Sequence, residues 1–376
     1  MADVPSRCAP RPDAMKRPYY LFSSGRLCRR QNTLCLERAS SEERTPGADL
    51  NDDGTPSGEP TGEKTPFPVE SASELYLFGE IDVNAKLIAF LAQHHVPAHF
   101  FDYYGNYTAT IYPREHLLSG QTKVRQVTCH NDEEERTELA RAFVDAATYN
   151  IGRVLKYYAS RLEGAAAREA QSVTALIEEE RARLDRIDTV PELMGLEGHV
   201  RSAYYEIWPQ LLGEAGEAFD FERRERQPPS NELNALISFG NSLCYALCLK
   251  QLYHTALDPT VSFLHEPGER RFSLALDVAE VFKPILVDRA IFRLVKTRQL
   301  QPGEHFEERL GGTYLKESGR KTFVEHWDER LRQTIEHRRL GRKVSYARLV
   351  RQEGYRLVRH LCDPEEDPYE GLKMWW

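Results

Sequence analysis

The sequence predicts an α+β chain, with a small N-terminal β domain over 18–112 and a larger all-helical domain over 113–360. Three observations carry this reading. Before Pro113 the apolar residues come in short runs broken by Gly, Ser and Asn, the signature of strands and turns. Beyond Pro113 they recur every three or four residues over long segments, the period of helices. Neither a βαβ alternation nor GxGxxG or GxxxxGK[ST] occurs, which leaves nucleotide binding through a phosphate loop without support.

Residues 1–17 read as an extension, with Met15 as a rival start. From Tyr19 to Glu37, YYLFSSGRLCRRQNTLCLE places two apolar-rich segments around Ser23-Ser24-Gly25, which predicts a β-hairpin. Residues 39–66 hold Ser, Thr, Gly, Pro, Asp and Glu with almost nothing to bury, and are expected to be a disordered acidic insertion. Strands follow at Glu74–Gly79, Ala98–Tyr104 and Tyr107–Tyr112, with a helix at Asn84–His95. The helical period then covers Asp132–Tyr158, Ala165–Ile187, Val190–Leu212, Asn231–His254, Phe272–Leu300 and Arg320–Arg359. Pro209 and Pro284 fall inside two of these, where each removes a backbone donor and kinks or ends the helix. Residues 361–376 form an acidic tail.

The 376 residues are 41 % hydrophobic and 29 % charged, enough for two cored domains. No stretch approaches the roughly 18–20 apolar residues of a membrane span, and Met1–Ala14 has no apolar core of a secretory signal. A cytoplasmic protein without a membrane partner is expected. The cysteines, Cys8, Cys28, Cys35, Cys129, Cys244, Cys248 and Cys362, include no CxxC pair, so neither a disulfide framework nor a zinc ribbon is indicated. The formal charge of −8 hides a segregation. Residues 41–66 carry seven acids against two bases, and 361–376 five against one, whereas 320–360 carry twelve Lys and Arg against five acids. A basic arm between acidic flanks fits a polyanion partner, and a solvated helix face fits it equally well.

Three segments concentrate metal-competent side chains. In Leu193-Met194-Gly195-Leu196-Glu197-Gly198 an acid lies between two glycines, followed by Arg201, Tyr204 and Tyr205. In Phe263-Leu264-His265-Glu266-Pro267-Gly268 an imidazole ends an apolar segment. In Ser273–Pro284, Asp277 and Glu280 are three apart and share a face of an otherwise apolar helix, where acids are costly without a cation or donor. Two carboxylates and an imidazole suit Mg²⁺ or Mn²⁺. A solvent-facing Glu197, a structural His265 and a buried ion-pair network with Arg201, Lys283 or Arg289 account for the same residues.

Four stretches, ELYLFGEIDVNAKLIAFLAQHHVPAHFFDYYGNYTATIYPRE, LMGLEG, PPSNELNALISFGNSLCYALC and FLHEPGERRFSLALDVAEVFKPILVDR, resemble the CRISPR-associated integrase, the adaptation endonuclease called CRISPR-associated protein one. The resemblance runs from about Pro18 to Leu361, with 39–66 as its main departure. It implies a metal-dependent DNA nuclease and integrase that acts as a homodimer. A dimer of CRISPR-associated protein two bridges it, and prespacer ends are inserted into a repeat array. The family's ligands for Mg²⁺ or Mn²⁺ carry over onto Glu197, His265 and Glu280, with Asp277 and Lys283 supporting. Double-stranded DNA is the implied partner, with Arg201, Lys283, Arg338, Arg339, Arg342 and Lys343 as expected phosphate contacts and Tyr204 and Tyr205 as candidates for base stacking or core packing. A relative acting on branched DNA outside an array, and a catalytically silent DNA-binding scaffold, are the competing readings.

Overall fold

The computed structural model describes residues 16–39, 60–114, 117, 119–219, 221, 223–225, 228–268, 272–309, 311–337 and 341–375. They fall into two units: the described residues up to Tyr103 with Tyr107–Arg114, and Tyr104–Asn106 with the described chain from Glu115 onward.

In the first unit, β1 (Arg17–Leu21) and β2 (Gly25–Arg30) flank Ser23-Ser24 yet belong to different sheets, so the hairpin expected there does not form. The hairpin lies one strand later. β2 turns at Gln31-Asn32 and pairs antiparallel with β3 (Thr33–Ala39), placing Cys28 opposite Cys35. β4 (Pro60–Pro68) pairs antiparallel with β3 and occupies the end of the stretch expected to be disordered. Its three prolines are tolerated because it is an edge strand. Residues 40–59 of that stretch, and 1–15 of the expected extension, lie outside the described residues.

β5 (Ala72–Leu77) and β6 (Ile81–Asp82) lead into α1 (Ala85–Gln93), whose N-cap Asn84 accepts from the Leu87 N–H. β7 (Ala98–Phe101) and β8 (Tyr107–Ile111) complete two four-stranded sheets, ordered β1-β5-β7-β8 and β4-β3-β2-β6. Leu27, Leu34, Leu36 and Phe67 from one sheet meet Leu75, Leu77 and Ala98 from the other, together with Leu87, Phe90 and Leu91 of α1, in a single core.

The second unit is mostly helical. It opens with α2 (Gly120–Asn131), which the periodicity did not predict. α3 (Glu133–Ala159) follows an Asp132 cap, with three glutamates favoured in its first turn by the helix dipole. α4 (Gly164–Ala182) precedes α5 (Val190–Glu206), which starts at a Thr189 cap with Pro191 in its first turn. α6 (Trp208–Leu212) is separated from α5 around Pro209. α7 (Glu232–Tyr253) is capped by Asn231 and buried on almost every side. α8 (Ser273–Lys283) runs into a π-helical turn, Pro284–Asp288, before α9 (Arg289–Lys296). The proline thus widens the helix where a kink or end was expected.

α7 approaches that turn closely at Gly240, where a Cβ would lie 2.5 Å from Val287 Cγ1. α10 (Pro302–His305) precedes a hairpin of β9 (Phe306–Arg309) and β10 (Gly312–Leu315). The expected helix over Arg320–Arg359 is in fact α11 (Glu317–Arg332), a hairpin of β11 (Thr334–His337) and β12 (Arg342–Ser345), and α12 (Tyr346–Cys362). His337 and Val344 are buried at period-two positions, and Gly341 takes φ 57° at the turn. The segment beyond α12 packs back on the helices. The Asn150 amide donates to Val281 O and Leu372 O and accepts from Met374 N, while Glu353 accepts from Leu372 N and the Tyr369 hydroxyl.

Candidate metal centre and its cation network

Helix α5 carries Glu197 and Arg201 one turn apart, and α8 carries Asp277, Glu280 and Lys283 at three-residue spacing, so each helix presents its charges on one face. The two sets meet. Arg201 Nε donates to Glu197 Oε1 at 2.5 Å and Nη2 donates to Glu280 Oε2 at 2.6 Å, while Lys283 Nζ donates to Glu280 Oε1. All four side chains are largely buried. Burial alone would push the Glu280 carboxyl up, but Lys283, Arg201 and His265 together hold it well below the usual carboxylate range. Burial likewise opposes the Arg201 charge, and Glu197 and Glu280 overcome it. Arg201 is 8 % exposed and spent on two carboxylates, so it is not the solvent-facing phosphate contact expected of it.

His265 reaches the cluster from the loop before α8. Asp277, fully buried, accepts His265 Nδ1–H at 2.8 Å and His265 N–H at 2.9 Å on Oδ1, and the N–H groups of Phe263 and Leu264 at 2.7 and 3.0 Å on Oδ2. Four donors use up its lone pairs. Asp277 therefore builds the loop and fixes the imidazole, leaving Nε2 as the nitrogen that is free to act as a ligand. Arg136 of α3 adds to the support, donating to Phe263 O and to Glu266.

Among the described residues, no three His, Cys, Asp or Glu side chains converge as placed on a point that holds a metal ion. The donor chemistry nevertheless fits one. Two carboxylates from segments far apart in the chain share a buried cation, the Arg201 guanidinium, and an imidazole with a fixed Nδ1 contributes to the field on Glu280. The ion-pair reading of these residues thus describes the arrangement of Arg201 and Lys283, whereas Arg289 lies over the Tyr157 ring at 4.9 Å. Tyr204 and Tyr205 are buried against Trp208, which leaves them in the core and not available to stack on bases. Arg342 and Lys343 are exposed on β12; Arg338 and Arg339 lie outside the described residues.

Sequence reasoning missed Asn150, Arg136 and Asp288. Asn150 ties Val281, the neighbour of Glu280, to the C-terminal segment, and Asp288 ends the π-helical turn behind the cluster. Nothing in their local sequence marks them, because their partners lie far away in the chain.

With this geometry in place, the comparison with known proteins is decisive: the family model of CRISPR associated protein Cas1 matches residues 19–329. The chain belongs to the Cas1 family. It is 43 % identical over 360 residues to a CRISPR-associated endonuclease Cas1 of Moorella thermoacetica, covering 96 % of this chain and 100 % of the relative. A CRISPR-associated endonuclease Cas1 of Fusobacterium nucleatum is 40 % identical over 362 residues, with 96 % and 98 % covered. The solved structure of a Cas1 protein from Thermotoga maritima superposes with a TM-score of 0.76 at 36 % identity, covering 92 % of this chain and 97 % of that one. A casposase bound to integration product shares the fold at 20 % identity, with a TM-score of 0.77 and 96 % of each chain covered. Among the described residues, no helix is long and apolar enough to cross a membrane.

Proposed function

We propose that this Cas1-family chain is a metal-dependent DNA endonuclease and integrase of CRISPR adaptation, joining prespacer 3'-hydroxyl ends to a repeat array. One observation carries the reading: Glu197 and Glu280 share a buried cation beside an imidazole whose Nδ1 is fixed by a saturated carboxylate. Glu197, His265 and Glu280 would hold Mg²⁺ or Mn²⁺. The bound ion supplies a Lewis acid that neutralises charge on a phosphodiester and lowers the pKa of a nearby hydroxyl.

The chain's own residues do the rest. Asp277 keeps the imidazole in the tautomer with Nε2 free, and Lys283, now paired with Glu280, would supply a further cation to a phosphate oxygen once the ion takes that carboxylate. The reaction is a transesterification. The 3'-oxygen forms a bond to phosphorus, the repeat-strand P–O bond breaks, and the proton of the attacking hydroxyl ends on the departing 3'-oxygen, so neither water nor an enzyme nucleophile is consumed. Arg342 and Lys343 would bind DNA backbone, making affinity fall with salt. Two reactions, one per strand, call for a homodimer, which a dimer of CRISPR-associated protein two would hold at fixed spacing. The site of action would be the cytoplasm.

A catalytically silent DNA-binding scaffold has one observation in its favour, since Arg201 and Lys283 already neutralise Glu280. Mn²⁺-dependent cleavage decides between them. Loss of cleavage in Glu197→Ala, His265→Ala and Glu280→Ala supports the enzyme, and cleavage unchanged in all three removes the site. Branched substrates without a repeat, run in parallel, test the reading as a nuclease acting outside an array.

A further inference from the structure

Behind the paired carboxylates lies a set of buried polar atoms with no partner in hydrogen-bonding geometry: Arg201 Nη1, the Tyr204 hydroxyl and both carboxyl oxygens of Asp288. Asp288 is 1 % exposed at the end of the π-helical turn, and Tyr204 lies one turn beyond Arg201 on α5. Buried polar groups are nearly always paired, so several orphans in one place need a cause. Burial raises the Asp288 carboxyl, and Arg201 through its charge and the Tyr204 hydroxyl through a poorly aligned hydrogen bond already act to lower it, so the three groups are neighbours. The same guanidinium spends Nε and Nη2 on the two carboxylates proposed as metal ligands.

A metal ion and Arg201 therefore compete for the same oxygens. Both cannot hold Glu197 and Glu280 at full strength, and a displaced guanidinium in a buried site needs another acceptor. We propose that Arg201 is a placeholder cation that holds Glu197 and Glu280 together in the absence of metal, and that it moves onto Asp288 when a divalent ion takes those carboxylates. Asp288 is then a positioning residue that acts on the metal through Arg201. This inference rests on the metal-dependent reading above.

Mn²⁺ binding to the full-length chain, read by electron paramagnetic resonance of the free ion, tests it without an activity assay. Wild type should bind Mn²⁺, Glu280→Ala should lose binding, and Asp288→Asn should bind about tenfold or more weakly, the usual scale of a supporting residue's effect. Binding that needs Glu280 but is unchanged in Asp288→Asn overturns the handover and leaves the metal site standing. Binding unaffected by Glu280→Ala overturns the metal reading and the handover with it. Crystals of wild type with and without Mn²⁺ provide an arm that does not depend on the variant folding. Arg201 within hydrogen-bonding distance of Asp288 in the loaded form supports the handover; Arg201 still spanning Glu197 and Glu280 beside bound Mn²⁺ overturns it.

Discussion

Asp277 holds His265 twice through one oxygen, accepting its backbone N–H at 2.9 Å and its Nδ1–H at 2.8 Å, while the other oxygen ties down Phe263 and Leu264. The loop and the imidazole are thus set by a single fully buried carboxylate. Asp277→Asn puts an amide donor where a donor already points. The expected loss is about 2 kcal/mol or more of unfolding free energy, from N–H groups left unpaired. Urea denaturation at constant m-value measures it, and an unchanged midpoint contradicts the assignment.

Glu280→Ala leaves Arg201 and Lys283 buried without their shared anion. Breaking such a cluster from one side costs about 3 kcal/mol, in addition to abolishing Mn²⁺-dependent cleavage. Glu280→Gln keeps volume and should lose cleavage with a smaller drop in melting temperature. Equal stability of Glu280→Ala and wild type would contradict the network.

The pH dependence follows from Asp288. Its carboxyl titrates at about 7 in the fold against about 3.9 in the unfolded chain. Between those values the folded state holds the extra proton, so this group's contribution is full below about pH 4 and is lost as pH rises through about 7. The unfolding free energy of wild type minus that of Asp288→Asn should therefore fall across that window and then level. A difference independent of pH would show that Asp288 is not the group responsible.

Asn150 joins Val281 O, Leu372 O and Met374 N by three buried hydrogen bonds. Asn150→Ala strands all three, for a cost of about 2–3 kcal/mol, and loosens the segment that carries Glu280. Chemical denaturation combined with limited proteolysis of 363–375 tests this; a C-terminus as protected as in wild type argues against the tie.

Much of this architecture was legible because it is local. Asn84, Asp132, Thr189 and Asn231 cap the helices they precede, and the acids on α8 stand out against its apolar neighbours. What failed depends on distant partners. Ser23-Ser24-Gly25 looks like a hairpin turn, but β1 finds β5 more than fifty residues away. Pro60–Pro68 looks unstructured because an edge strand tolerates proline. The period-two segments Thr334–His337 and Arg342–Ser345 are too short to interrupt a helical pattern by eye. At the site, residue types marked three metal-competent segments and left an ion-pair network with Arg201 as an equal reading; the resemblance singled out Glu197, His265 and Glu280, and the way Arg201 spans Glu197 and Glu280 depends on α5 meeting α8.

The central claim is strand transfer at the Glu197–His265–Glu280 site. It is tested most directly by mixing the chain with a labelled duplex bearing 3'-hydroxyl ends and a supercoiled repeat-bearing plasmid in Mn²⁺, with and without the CRISPR-associated protein two subunit, beside Glu280→Ala. Label joined to plasmid by wild type and absent with Glu280→Ala is the predicted result; equal joining by both, or DNA binding without joining in every condition, would contradict it.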